Sequence, residues 1–241
     1  MKLARSPLTQ TRQKWQSSFE KLYNADSSET KDVLFVNDHV DYNTDMSYLD
    51  ATISIGEIVC AAKKAKKGKA VGLDGLPLEV LCNDTCISFL HKLFNICYLK
   101  GIFPEMWQKG VITPVPKSNT SNVYEPLSYR GITIASSSYK LFCSVLNNRL
   151  EQWVDENNIL SEEQNGFRKN RSCIGHLTSL VNIVETRIRK KQNVFTAFFD
   201  FQKAYDSIDR NLLWSKLSNI GLVKHSKFMR AFQGIDANVE C

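Results

Sequence analysis

The chain lacks most of the features that would place it outside the cell or in a membrane. No apolar run approaches membrane-spanning length, and the N-terminal residues lack the apolar core of a signal peptide. Its seven cysteines are an odd number at irregular spacing, which argues against a disulfide framework and for reduced thiols in a soluble intracellular protein. Cys82 and Cys86 are placed to share a helix face, but no second pair or nearby histidine completes a zinc site. Gly68, Gly72 and Gly75 form a loop without the Gly-Lys-Ser/Thr of a Walker motif, which disfavours nucleotide hydrolysis. His91 reads as a packed or exposed histidine rather than a catalyst. There is no internal repeat and no low-complexity tract.

What remains is a chain with material for a core. Hydrophobic residues make up 43% of its 241 positions, and the net charge of +6 is mildly basic. The charge is uneven. Residues 24–50 hold the acids Asp26, Glu29, Asp32, Asp38, Asp41, Asp45 and Asp50 against one base, Lys31. The basic excess lies at Lys63–Lys69, Arg168–Arg171 and Arg187–Lys191. Residues 1–50 therefore read as a lead-in, with a short helix over about Thr11–Tyr23 and an acidic linker. Residues 51–241 read as the folded part.

That part opens on a capping box, Ser54-Ile55-Gly56-Glu57, with Ile53 and Ile58 spaced for a hydrophobic staple. The helix it starts, to about Lys67, ends in Lys63, Lys64, Lys66 and Lys67. These form either a solvated helix end or a phosphate-contacting patch. Pro77 suits the first position of another helix. Thr85–Lys100 is helical by the spacing of Ile87, Leu90, Phe94 and Cys97, with Gly101 as its stop. Val111–Val115 and Ile132–Ile134 pair as a hairpin around the polar tip Ser118–Asn122, its prolines confining the first limb to an edge. Ser136–Asn157 is an amphipathic helix with Phe142, Val145, Leu146, Arg149, Leu150 and Trp153 on one face. Ile174, Leu177, Val181, Val184 and Ile188 mark a helical core stripe, and Ile208–Ile220 a last helix closed by Gly221.

Between those helices Val194–Phe199 is rich in β-branched and aromatic residues and reads as a buried strand that delivers Asp200 at its carboxyl end. A carboxylate there either reaches a divalent cation or caps the following turn. Phe198-Phe199-Asp200-Phe201-Gln202-Lys203-Ala204-Tyr205-Asp206 resembles the first catalytic motif of reverse transcriptases, in the form carried by LINE-type (non-LTR) retrotransposons. Lys63–Pro77 is similar to the family's opening motif. Pro114-Val115-Pro116-Lys117 with Ser128-Tyr129-Arg130-Gly131-Ile132 is similar to its fingers hairpin, although Gly131 stands where the family usually has proline. Gln164-Asn165-Gly166-Phe167-Arg168 is similar to the next block. Trp15, Phe19, Leu22 and Tyr23 resemble the segment that often precedes the domain.

The resemblance implies an α+β, strongly helical chain: a partial right-hand polymerase fold with fingers over 51–192 and the start of the palm over 193–241, truncated before the rest of the palm. It implies an RNA-directed DNA polymerase that takes an RNA template, a DNA primer and deoxynucleoside triphosphates, with two Mg2+ ions in the complete enzyme. Asp200 would be the catalytic metal ligand, helped by the Phe201 backbone carbonyl. Tyr205 would exclude a 2′-hydroxyl, Lys117 and Arg130 would bind the triphosphate, and Arg168, Lys169 and Arg171 would meet the template strand. The last three also fit a generic basic loop. Asp206 and Asp209 read as helix-start caps. The family's later Ala-Asp-Asp turn is missing, since the 241 residues contain no Asp-Asp pair. Gln233-Gly234 is not the template-positioning Gln-Gly block. The expectation is a fragment without activity of its own, or alternatively a non-catalytic nucleic-acid-binding module.

Overall fold

The computed structural model describes residues 13–18, 45–117, 124–201, 204–205 and 208–236. The hairpin tip expected at Ser118–Asn122, most of the acidic linker, and Asp206 lie outside these residues. The architecture is α+β and mostly helical: among the described residues a helical core carries one two-stranded antiparallel sheet.

Residues 13–18 are helical (α1). The next elements are Ser47–Asp50 (α2), Ile55–Lys64 (α3), Leu78–Leu81 (α4) and Asp84–Lys100 (α5). Val111–Pro116 (β1) and Tyr129–Ile134 (β2) follow, then Ser137–Glu156 (α6), Cys173–Arg189 (α7), Arg210–Asn219 (α8) and Lys227–Asp236 (α9). Local chemistry sets the helix starts. The Ser54 side chain accepts from the Glu57 N–H while the Glu57 carboxylate accepts from the Ser54 N–H, so the capping box forms as its spelling predicts. The side chains of Asn83, Ser136, Ser172 and Asp209 each accept a first-turn N–H and so cap α5, α6, α7 and α8. α3 stops at Lys64 rather than Lys67, and α5 ends at Gly101.

The core lies where α3, α5, α6 and α9 meet. α3 contributes Ile58, Ala61 and Ala62; α5 contributes Ile87, Leu90, Phe94, Cys97 and Tyr98. Leu141, Phe142, Val145, Leu146 and Trp153 project from α6, and Phe228, Met229 and Ala231 from α9. An aromatic cluster fills the centre, with the Phe142 ring 5.1 Å from Phe94 and 5.2 Å from Trp107. Burying each such side chain stabilises the fold by about 1.5–3 kcal/mol. α2 belongs to this core too. Leu49 is fully buried, and Asp50 Oδ1 accepts the Phe228 N–H of α9 at 3.0 Å.

Four expectations are corrected. Val194–Phe199 is not a buried strand: residues 192–201 are irregular, and Phe195, Phe198 and Phe199 are 94%, 83% and 88% exposed. Its β-formers find no partner, because the hairpin β1–β2 is the sheet present among the described residues and a strand needs a neighbouring ladder. α7 forms where the periodicity puts it, but its apolar stripe is not core, and no residue of α7 is buried. Amphipathic spacing dictates a face, not what covers it. The helix at Arg210–Asn219 is not the last, since α9 follows and supplies core residues. Cys82 and Cys86 do not share a helix: Cys82 ends α4 and Cys86 begins α5.

Candidate nucleotide and nucleic-acid site

The two limbs expected to pair do form the hairpin, β1 with β2. Val111 faces Ile134, Pro114 faces Gly131, and Val115 faces Arg130. Lys117 follows the last pair, its backbone N–H donating to Ser128 O at 3.0 Å. The two cations singled out from the sequence therefore sit at one end of one ladder, two residues apart in register, and both are exposed. Proline in β1 removes backbone donors at Pro114 and Pro116, as an edge limb tolerates. The N-terminal helix braces this end. The Trp15 ring meets Tyr129 edge-to-face at 4.9 Å, and Lys14 pairs with Glu125 at 3.1 Å.

The glycine loop sits at the opposite end of β2. A Cβ on Gly72 would lie 2.6 Å from Ser136 N and 2.7 Å from Ala135 C, so the loop backbone rests directly on the joint between β2 and α6. Only glycine fits that approach. The Gly68 N–H donates to Glu79 Oε1 at 2.7 Å, and this bond holds the exposed Glu79 carboxyl below its ordinary pKa.

The loop 164–171 is ordered by its own polar groups. Arg168 donates to Ser161 O at 2.9 Å, and both Arg168 and Arg171 pair with Glu162. The Arg171 hydrogen bond and charge lower the Glu162 carboxyl from its ordinary pKa. Lys169 lines a cavity of about 410 Å³ with Lys64, Asn148, Glu151, Asp155 and Glu156. Two of the three cations expected on a template strand are thus shared with an internal acid, and the third faces an acidic wall. Phe167 has a left-handed backbone, φ 59, and its ring meets Tyr205 edge-to-face at 6.3 Å. That contact joins the Gln164–Arg168 block to the Asp200–Tyr205 stretch, which spacing alone does not show.

Asp200 lies in the exposed irregular segment, with Phe201 and Tyr205 also exposed. No ion pair among the described residues joins it to Lys117 or Arg130. No three His, Cys, Asp or Glu side chains converge on a possible metal position among the described residues. Mg2+ demands six oxygens in near-octahedral array and is usually held through one or two carboxylates plus substrate phosphates. One exposed carboxylate beside a backbone carbonyl does not fit that demand for two ions, so the residues described here do not make the complete metal centre.

Residues 115–239, over half of the chain, match the family described as Reverse transcriptase (RNA-dependent DNA polymerase). The chain belongs to that family, in its non-LTR retrotransposon (LINE-type) branch. The matched span of this reverse transcriptase chain covers Lys117, Arg130, the 164–171 loop and Asp200 to Tyr205. The chain is 29% identical over 175 residues to a probable RNA-directed DNA polymerase from transposon BS of Drosophila melanogaster, covering 70% of this chain and 19% of that protein. The RNA-directed DNA polymerase from mobile element jockey of Drosophila melanogaster is 26% identical, over 72% of this chain and 19% of its own length. The Pol polyprotein from the type-1 retrotransposable element R2 of Popillia japonica is 26% identical, over 69% of this chain and 22% of its own. The reverse transcriptase chain thus spans about a fifth of the length of these relatives. No helix among the described residues is long and apolar enough to cross a membrane.

The residue that sequence reading undervalued is Arg149. The spacing puts it on the apolar face of α6 and does not show its partners. Its guanidinium is buried and makes a hydrogen bond with each of its five N–H groups: two to Glu57, and one each to the carbonyls of Leu49, Ala51 and Thr52. A charged residue repeated in phase with Phe142, Val145 and Trp153 was the available signal.

Proposed function

We propose that this chain supplies the fingers (51–192) and the start of the palm (from 193) of an RNA-directed DNA polymerase of a non-LTR retroelement, within a right-hand polymerase fold. Its partners would be an RNA template, a DNA primer and a deoxynucleoside triphosphate. Lys117 and Arg130 neutralise the triphosphate, a task suited to two exposed cations at one hairpin end. Tyr205 meets the sugar and excludes a 2′-hydroxyl, Asp200 is the reactive-site carboxylate with the Phe201 backbone carbonyl beside it, and Arg168, Lys169 and Arg171 line the nucleic-acid path. The observation that carries this reading is the family match across 115–239, with the paired register that sets Arg130 opposite Val115, two residues from Lys117.

Asp200 alone does not assemble the divalent-metal centre that such a reaction uses. The 241-residue polypeptide by itself therefore does not polymerise. The test is incorporation of labelled deoxynucleotide on a primed RNA template by the purified chain. No product is expected, and template-dependent product would refute the inactivity. A second reading, a nucleic-acid-binding module without chemistry, is favoured by the same lone carboxylate. RNA binding without any nucleotide binding would select it.

A further inference from the structure

Of the lysines near the start of the folded part, Lys64 lines the cavity that Lys169 faces, and the others take no role in the site above. Lys63, Lys64, Lys66, Lys67 and Lys69 place five positive charges within seven residues, with no acid among them, and all five are exposed. None takes part in an ion pair among the described residues. Of the nearby acids, Glu79 accepts from the Gly68 N–H and also feels the Lys67 charge, while Asp74 accepts from the Leu76 N–H at 3.3 Å.

The segment is also held. Lys64 Nζ donates to Asn148 Oδ1 on α6 at 3.2 Å, the Gly68 bond fixes the turn, and Gly72 seats the loop on Ala135 and Ser136. Ala135 directly follows Ile134, the last residue of β2, and Arg130 lies four residues back along that strand. The arm's anchor at Ala135 is five residues from Arg130, so at about 3.3 Å per residue the two are roughly 17 Å apart. Exposed cations spread along an arm, on long stems, suit a charged polymer better than a compact anion. We propose that Lys63, Lys66, Lys67 and Lys69 form a backbone-binding rail for a nucleic-acid strand, separate from the Lys117–Arg130 triphosphate pair and leading into its hairpin. The choice of polymer rests on the polymerase reading above.

The exposed side chains of Val71, Leu73 and Leu76 beside the arm make an anionic membrane surface the competing partner. The experiment titrates the 241-residue chain with single-stranded RNA, an RNA–DNA duplex and vesicles of phosphatidylserine and phosphatidylcholine, across a salt series. Each phosphate neutralised on a single strand steepens the log–log salt slope by about 0.7, so K63Q/K66Q/K67Q/K69Q is expected to flatten it by about 3 and to weaken binding at least tenfold. K117Q/R130Q is expected to lose triphosphate binding while its RNA slope changes by less than half as much. The rail is overturned if the quadruple variant keeps the parent slope, or if the parent binds vesicles and neither nucleic acid. If the parent's RNA slope flattens in the quadruple variant but no triphosphate binds, the rail stands and the polymerase reading falls. An unchanged far-UV circular dichroism melting curve excludes misfolding as the cause of a loss.

Discussion

Arg149 on α6 donates from Nε to Glu57 Oε1 at 2.5 Å and from a terminal nitrogen to Glu57 Oε2 at 3.0 Å. The same guanidinium holds the carbonyls of Leu49, Ala51 and Thr52 and lies 5.3 Å from the Tyr98 ring centroid. One side chain thereby ties α2, α3 and α6 together. Because every N–H is bonded, removing either partner strands the other charge. Arg149→Met should lower unfolding free energy by about 3–5 kcal/mol in urea denaturation. A loss under 1 kcal/mol would show that the network is ornamental.

The same pair sets an acid limit. Burial pushes the Glu57 carboxyl up, but the Arg149 hydrogen bond, the Ser54 N–H and the Arg149 charge outweigh it, leaving its pKa below the ordinary 4.5. A carboxyl lowered by folding contributes stability that is full above the unfolded value and fades as pH falls through the folded one. Thermal midpoints should therefore be flat above about pH 5.5 and drop below about pH 4.5, and Glu57→Gln should flatten that drop. A variant that loses stability in parallel with the parent across this range would contradict the assignment.

Gly72 offers a test of how the lysine-bearing loop is seated. An added Cβ would meet the backbone of Ser136 and Ala135 at 2.6–2.7 Å, and backbone cannot swing aside as a side chain can. Gly72→Ala should cost about 1–3 kcal/mol. Amide exchange should quicken across the loop and the start of α6. Unchanged exchange there would show that the loop is not seated on this joint.

The brace on the hairpin is separable from the core. Trp15→Ala removes the edge-to-face contact with Tyr129 and should quicken amide exchange in β1 and β2. The amides of α5 and α6 should be unaffected.

Much of the helical core could be read from the sequence because it rests on local rules. The Ser54–Glu57 box, the Gly101 stop and the in-phase Phe142, Val145 and Trp153 each follow from spacing within one element. The hairpin was legible for a similar reason, since β-formers flanked a polar tip and antiparallel pairing needs no distant partner. Local signals do not suffice where a distant partner decides. Val194–Phe199 carries strand composition and α7 carries core periodicity, yet among the described residues nothing covers either. The α9 contribution and the Arg149 hub were hidden because both depend on contacts across about a hundred residues or more.

The uncovered stripe makes its own prediction. Leu177→Ser with Val181→Ser should change the unfolding free energy of this chain by no more than about 0.5 kcal/mol per site, as for other exposed positions. Leu146→Ser, in the core, should be strongly destabilising.

The central claim, that the hairpin cations clamp a triphosphate, is tested most directly by titrating the 241-residue chain with a fluorescent deoxynucleoside triphosphate. The account predicts saturable binding that weakens at least tenfold in K117Q/R130Q and less than twofold in Lys100→Gln, a lysine at the far end of α5. Equal binding by parent and double variant would contradict it.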